Sequence, residues 1–369
     1  MPQGENFWNP YRWIQVPDQP PTHAEPLYHH CMAGLSGRIH CTLTALTPLI
    51  IGDGRGNFVT HAKNKRPYIP ATSLKGVIRS LAEIVGNTAV PFPKVDVDPN
   101  HQLRHARLEN NGRAQLDITS RTFGYLNKGD VFAGLVQFGD AELVGEANPN
   151  QWPQQVVAVG QPKPSHTPFY PDTRRRKAYH HVPETDRLTG PHAGITQTTK
   201  NRPAPPGTRF TFTVDFRNLR DDELNLLLYC LALEDNVTVT LSKDALGPNA
   251  REPMTISGPM RHKVGGCKPH GGGSAHIAIE KMTIRTNPAD RYRGRDSATS
   301  LEGDTLADEL KRRIASFAAR NDRTMQQVRA MMIYTPDDPR RPVNYPTYQW
   351  FQDDKQLPVH EKRQLKPTL

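Results

Sequence analysis

Cysteine is scarce in this 369-residue chain: Cys31, Cys41, Cys230 and Cys267 stand far apart, with no CxxC pair among them. That excludes a disulfide framework and a four-thiolate zinc site, and it fits a reducing cytoplasm. No stretch approaches the roughly 18 apolar residues of a membrane span. The opening Met1-Pro2-Gln3-Gly4-Glu5 lacks the basic-then-apolar pattern of a secretory signal, so an unexported protein with no membrane partner is expected. Negative charge is also short, with 37 acidic residues against 47 Lys and Arg, a formal net charge of +10 before any of the 15 His is counted. A polyanion is the partner class this balance favours. Many basic proteins never touch nucleic acid, so the location of the charge has to decide.

Proline is abundant, at 34 residues, and clusters near the N-terminus, around 149 to 171, at 203 to 206 and from Pro336 to Pro346. These stretches read as loops, arms or linkers. Residues 1–36 mix proline with Phe7, Trp8, Tyr11 and Trp13 and read as an N-terminal arm that docks on a neighbour or stays disordered. From Arg38, Ile39, Cys41, Leu43 and Ala45 alternate with polar residues as in a half-buried strand. Leu74, Val77, Ile78, Leu81 and Val85 have helical spacing, with Thr72 or Ser73 as the cap and Gly86 as the stop. The second half repeats the theme: Phe210, Phe212, Val214 and Phe216 alternate as a strand, then Leu224, Leu227, Leu228 and Leu231 line a helix face. Strands are expected at Val131 to Phe138 and Ala275 to Ile284. Two such halves predict an α+β, ferredoxin-like core over residues 37–295 with long insertions, one at about 150–204. Residues 296–369 are expected as a helical extension and tail, with helices near Leu306–Phe317 and Met325–Met332.

Three stretches carry candidate chemistry. Thr72, Ser73 and Lys75 stand at a predicted helix N-terminus, where free N–H groups and the dipole favour an anion, and Arg79 follows one turn later. An ordinary capped amphipathic helix has the same pattern. A glycine-rich loop, Gly265-Gly266 to Gly271-Gly272-Gly273, is bracketed by Lys263 and Lys268. Residues 251–295 hold nine Lys and Arg against three acids, a net of about +6, the footprint of a phosphate strand. Arg174, Arg175, Arg176 and Lys177, with Tyr179 close by, join cations to a ring in the 150–204 insertion, though a solvated loop reads the same. The candidate zinc ligands are His29-His30-Cys31, His101 with His105 at i, i+4, and His180-His181, without thiolate or carboxylate partners in a clear pattern. No cofactor is therefore expected, and structural zinc lacks a clear motif.

The string Leu43-Thr44-Ala45-Leu46-Thr47-Pro48-Leu49-Ile50-Ile51-Gly52-Asp53-Gly54, followed by Tyr68-Ile69-Pro70-Ala71-Thr72-Ser73-Leu74-Lys75-Gly76-Val77-Ile78-Arg79, resembles the RAMP superfamily of CRISPR-associated proteins, in particular the repeated backbone subunit of type III-like effector complexes. Phe123-Gly124-Tyr125, the Gly134-to-Leu143 segment and the glycine-rich loop extend the resemblance over about 37 to 145 and 205 to 285. It implies a modified ferredoxin-like, RRM-like fold and a cytoplasmic role in antiviral defence, as part of a ribonucleoprotein. The implied partners are a guide CRISPR RNA, target RNA, neighbouring copies of the chain and other effector subunits. It also implies a thumb, placed in the 150–204 insertion or the 87–118 loop. In target-cleaving relatives the loop before the Tyr68 strand supplies an aspartate; here it holds Arg55, His61, Lys63, Lys65 and Arg66, all candidate RNA contacts, and no acid. That departure implies a non-cleaving subunit served by a separate nuclease. Two alternatives stay open: a metal-assisted endoribonuclease using Asp53, and a single-copy cap or guide-processing subunit.

Overall fold

The computed structural model describes residues 11–15, 17, 19–89, 107–127, 129–158, 175–181, 198–241, 253–286 and 298–335. His101, His105 and Arg174 lie outside them, as do residues 336–369 of the expected tail.

The named elements are β1 (Tyr11–Gln15), β2 (Leu35–Ala45), β3 (Tyr68–Ile69), α1 (Ala71–Val85), β4 (Val136–Phe138), β5 (Ala141–Leu143), β6 (Arg175–Tyr179), β7 (Arg209–Leu219), α2 (Asp221–Ala232), β8 (His262–Lys263), β9 (Ser274–Arg285), β10 (Thr299–Leu301), α3 (Gly303–Ala318) and α4 (Arg323–Met332). Strand, helix, strand, strand, helix, strand is the order of a ferredoxin-like domain, and β2, α1, β4 with β5, β7, α2 and β9 fill it. The sheet runs β8-β9-β2-β7-β5-β3, with β4 also on β7 and β10 also on β9. All pairs are antiparallel.

Alternation decides which face each strand buries. Phe212 pairs Cys41 and Val214 pairs Ile39, all facing the core, while Thr213 and His40 face the other way. On the other side Ile279 pairs Cys41 and Met282 pairs Ile39, a shift that requires the bulge at Glu280. One extra residue there keeps Ile277, Ile279 and Met282 on the core face through the whole strand. Helix α2 is buried on nearly every side, with Leu224, Leu226, Leu227, Leu228 and Leu231 fully enclosed between the sheet, α1 and α3. Arg121, from the short helix Ile118–Phe123, donates to the buried Glu223 of α2 at 2.6 Å and ties the helical layer together.

Several expected elements shift. The strand anticipated over 131–138 is two: Asp130–Ala133 pairs with Gly124–Asn127, and β4 starts only after Gly134. A Cβ at Gly134 would meet the Phe123 backbone at 2.5 Å, so the chain bends where only glycine fits. Helices α3 and α4 match the expected positions, α3 packing on α2 and α4 on β1. Arg329 of α4 donates to the Ala318 and Arg320 carbonyls at the end of α3 and to Glu234. The N-terminal segment is woven into the domain: β1 pairs with β6 from the insertion, and Asn218 clasps the Tyr28 and Cys31 carbonyls and the Ala33 and Gly34 amides. No helix among the described residues is long and apolar enough to cross a membrane.

Candidate nucleic-acid interface

Helix α1 starts differently from the expectation. Its N-cap is Pro70, and neither Thr72 nor Ser73 caps it. The first amide, of Ala71, donates instead to the Asp140 carboxylate at 2.7 Å, just ahead of β5. An acid from the connection between β4 and β5 thus occupies the end of the helix where a phosphate was expected. Ser73 is half-buried and Thr72 exposed. Lys75 lies partly buried, its Nζ 3.5 Å from the Val136 carbonyl; burial first, then Arg79, lowers its pKa.

One turn on, Arg79 donates to Glu83 at 3.0 Å, and Arg176 of β6 reaches the same carboxylate. Arg176 was a candidate RNA contact; it is 7% exposed and sits beneath the β1–β6 ribbon. Burial, and after it Arg79, lowers its pKa, and Glu83 supplies the countercharge. The other end of the ribbon is fixed by His181, whose ring nitrogens lie 2.9 Å from Ser274 Oγ and 3.0 Å from the Arg261 carbonyl. The segment from Arg176 to His181 is thereby held between α1 and the start of β9.

Strand alternation turns Lys177 and Tyr179 to the face opposite Arg176. The Lys177 Nζ stands 3.7 Å from the Tyr11 ring centre and 5.0 Å from that of Tyr179, and Lys268 Nζ stands 5.8 Å from the latter. Lys263 donates to the Gly271 and Gly272 carbonyls, both at 3.1 Å. Burial, and then the charge of Lys268, brings Lys177 down to about 8 and Lys263 to about 7; burial also lowers Lys268. Among the described residues no carboxylate pairs with any of the three. A partly desolvated lysine triad without a carboxylate partner is the kind of arrangement that an anion would stabilise.

The glycine-rich loop is a packed scaffold beside this triad. A Cβ at Gly265 would lie 2.2 Å from the Ile50 carbonyl and one at Gly273 2.1 Å from that of Val264, and both residues have positive φ. Gly266 donates to Ile50 and Gly273 to Pro48. The glycines thus allow backbone to lie against backbone and so aim Lys263 and Lys268; Gly271 to Gly273 are buried.

The loop from Gly52 to Pro67 is pinned by Phe58, which is buried between Trp152 and Phe210. Arg55, Lys63, Lys65 and Arg66 are exposed along it, Arg66 donating to the Leu143 and Gly145 carbonyls. Asp53 accepts from the Arg55 amide at 2.7 Å and the Asn57 amide at 3.1 Å, with Asn57 Nδ2 at 3.4 Å from its other oxygen. The Arg55 amide, ahead of those from Asn57, holds its pKa below the usual value. Asp53 is a turn residue with both oxygens engaged. His61 has two partners: Nε2 lies 2.8 Å from Glu142, and the ring stacks on Tyr68. For Arg175 only the backbone is described, paired with Gln15. No group of three or more His, Cys, Asp or Glu that could hold a metal occurs among the described residues.

The lysine triad implies a proton linkage. An ammonium brought from 10.5 down to about 7 disfavours its charged form in the free fold, so between those values the unfolded chain binds more protons and stability rises with pH. A phosphate reverses the preference and draws protons back. RNA binding at pH 8 is expected to take up protons, and affinity to fall as pH rises from 7 to 9. Calorimetry in buffers of different ionisation enthalpy measures this; zero uptake would remove the triad from the contact.

Among curated proteins none matches the chain. The family model described as the RAMP superfamily matches residues 42–239, which run from the last residues of β2 through the Arg55–Arg66 loop and both core helices. With more than half its length under that match, the chain belongs to the RAMP superfamily of CRISPR-associated, RNA-binding proteins.

Proposed function

We propose that this protein is a multi-copy backbone subunit of a CRISPR effector ribonucleoprotein, one that grips the phosphates of a guide RNA and presents the spacer for pairing with target RNA. The observation that carries the reading is the uncompensated triad Lys177, Lys263 and Lys268, arrayed beside a rigid glycine loop in a family of RNA-binding proteins. Ammonium groups hold phosphates without reading bases, so specificity falls to base pairing, as in other guided systems. Exposed Arg55, Lys63, Lys65 and Arg66 extend the positive surface. Cleavage is assigned to a separate nuclease subunit, because the Asp53 oxygens are engaged in their own turn.

Native mass spectrometry of the assembled complex tests this. The expected result is several copies of the chain on one RNA, and target cutting unchanged by Asp53→Ala. A single copy per complex would favour the cap or guide-processing reading. Loss of cutting with RNA binding intact would make Asp53 a metal-assisted catalyst.

A further inference from the structure

We propose that His61 and Tyr68 form a stacking platform for an unpaired nucleobase of the bound RNA. This rests on the RNA-binding reading above and adds to it a contact with a base. The two rings lie nearly parallel, with centres 3.9 Å apart and 8° between their planes. Both are held firmly. Tyr68 belongs to β3, pairs with Glu142 of β5 and donates its amide to the Val59 carbonyl. His61 sits in a turn closed by its amide on the Arg66 carbonyl and by the Lys65 amide on its own carbonyl, both at 3.0 Å.

Glu142 fixes the remaining freedom of the imidazole, with Oε1 2.8 Å from Nε2. Although Tyr68 lies against one face and Glu142 holds the Nε2 edge, the side chain keeps 29% exposure. An aromatic face already immobilised loses little entropy when a base stacks on it, and every base offers a π-face.

A latch that only fastens the loop would also use such a stack. Two observations point beyond it. The same loop exposes Arg55, Lys63, Lys65 and Arg66, with no carboxylate between Gly54 and Pro67, so an RNA backbone brought to it finds several cations on the loop that carries His61. The platform is also linked, through backbone bonds, to the glycine-rich loop that Lys263 and Lys268 bracket: Gly266 donates to Ile50, Val59 to the adjacent Ile51, and Tyr68 to Val59. Three strand-like spacings amount to about 15 Å. One extended RNA strand can reach both ends.

The test uses the full-length protein and single-stranded RNAs carrying one 2-aminopurine, moved stepwise along the strand. Stacking quenches its fluorescence. The expected result is quenching at a defined position, lost in His61→Ala with Tyr68→Ala together with about tenfold of affinity, and kept in His61→Phe. His61→Phe retains a ring while losing the Glu142 contact, so it separates stacking from loop fastening should the double variant misfold. RNA binding without quenching at any position, or quenching undiminished in the folded double variant, overturns the platform and leaves the phosphate-binding reading in place. Failure of the wild type to bind RNA at all overturns both.

Discussion

Replacing Lys177, Lys263 and Lys268 together by methionine is expected to weaken single-stranded RNA binding about 50-fold at 0.15 M salt and to make the log–log salt dependence shallower by about 2, because each neutralised phosphate contributes about 0.7 to that slope. Filter binding across a salt series measures both quantities. Methionine keeps the unbranched stem, so the packing against Tyr11 and Tyr179 persists. It also removes three ammonium groups that the free fold disfavours, their pKa values all being lowered by burial. The triple variant should therefore be at least as stable as the wild type in urea. An unchanged salt slope would show that no phosphate sits at the triad.

Glu83→Gln carries the second large effect. Its carboxylate is 4% exposed and is shared by Arg79 and Arg176. Removing one partner of a buried pair leaves an uncompensated charge in a poorly solvated place, and a loss of about 3 kcal/mol is expected in chemical denaturation. The damage should be local, with faster hydrogen exchange in β1 and β6, the strands that Arg176 fastens to α1. The double variant Glu83→Leu, Arg176→Leu should recover most of the loss, since two apolar groups replace both charges. A Glu83→Gln protein as stable as the wild type would mean that the ribbon is held without the Arg176 ion pair, by the His181 contacts and the packing of β1 on α4.

The core was readable because its information is periodic. Ile39, Cys41 and Leu43 alternate, Leu74, Ile78 and Leu81 recur at helical spacing, and each pattern needs only its own neighbours to be recognised. The bulge at Glu280 escaped because it is a relation between two strands. The site was legible in its residue types and less so in their roles. Lys263, Lys268 and Lys177 converge, whereas Arg176, from the same basic run as Lys177, turns inward because a strand sends successive side chains to opposite faces. Glu83 did leave a trace: an acid four residues after Arg79, among Leu81, Ile84 and Val85, is a charge on an apolar helix face and therefore needs a partner. No local pattern could show that Asp140 caps α1 or that Glu142 holds His61, since 69 and 81 residues separate those pairs.

The pairing of β1 with β6 has a consequence for biosynthesis. A segment near residue 11 waits on the ribosome until one near residue 179 has emerged, and the remaining lysines of the triad follow only with residues 263 and 268. Contacts of such long sequence separation form late. During translation, then, the nascent chain passes ribosomal RNA with this lysine cluster still unassembled, and the cluster forms only once the domain has closed.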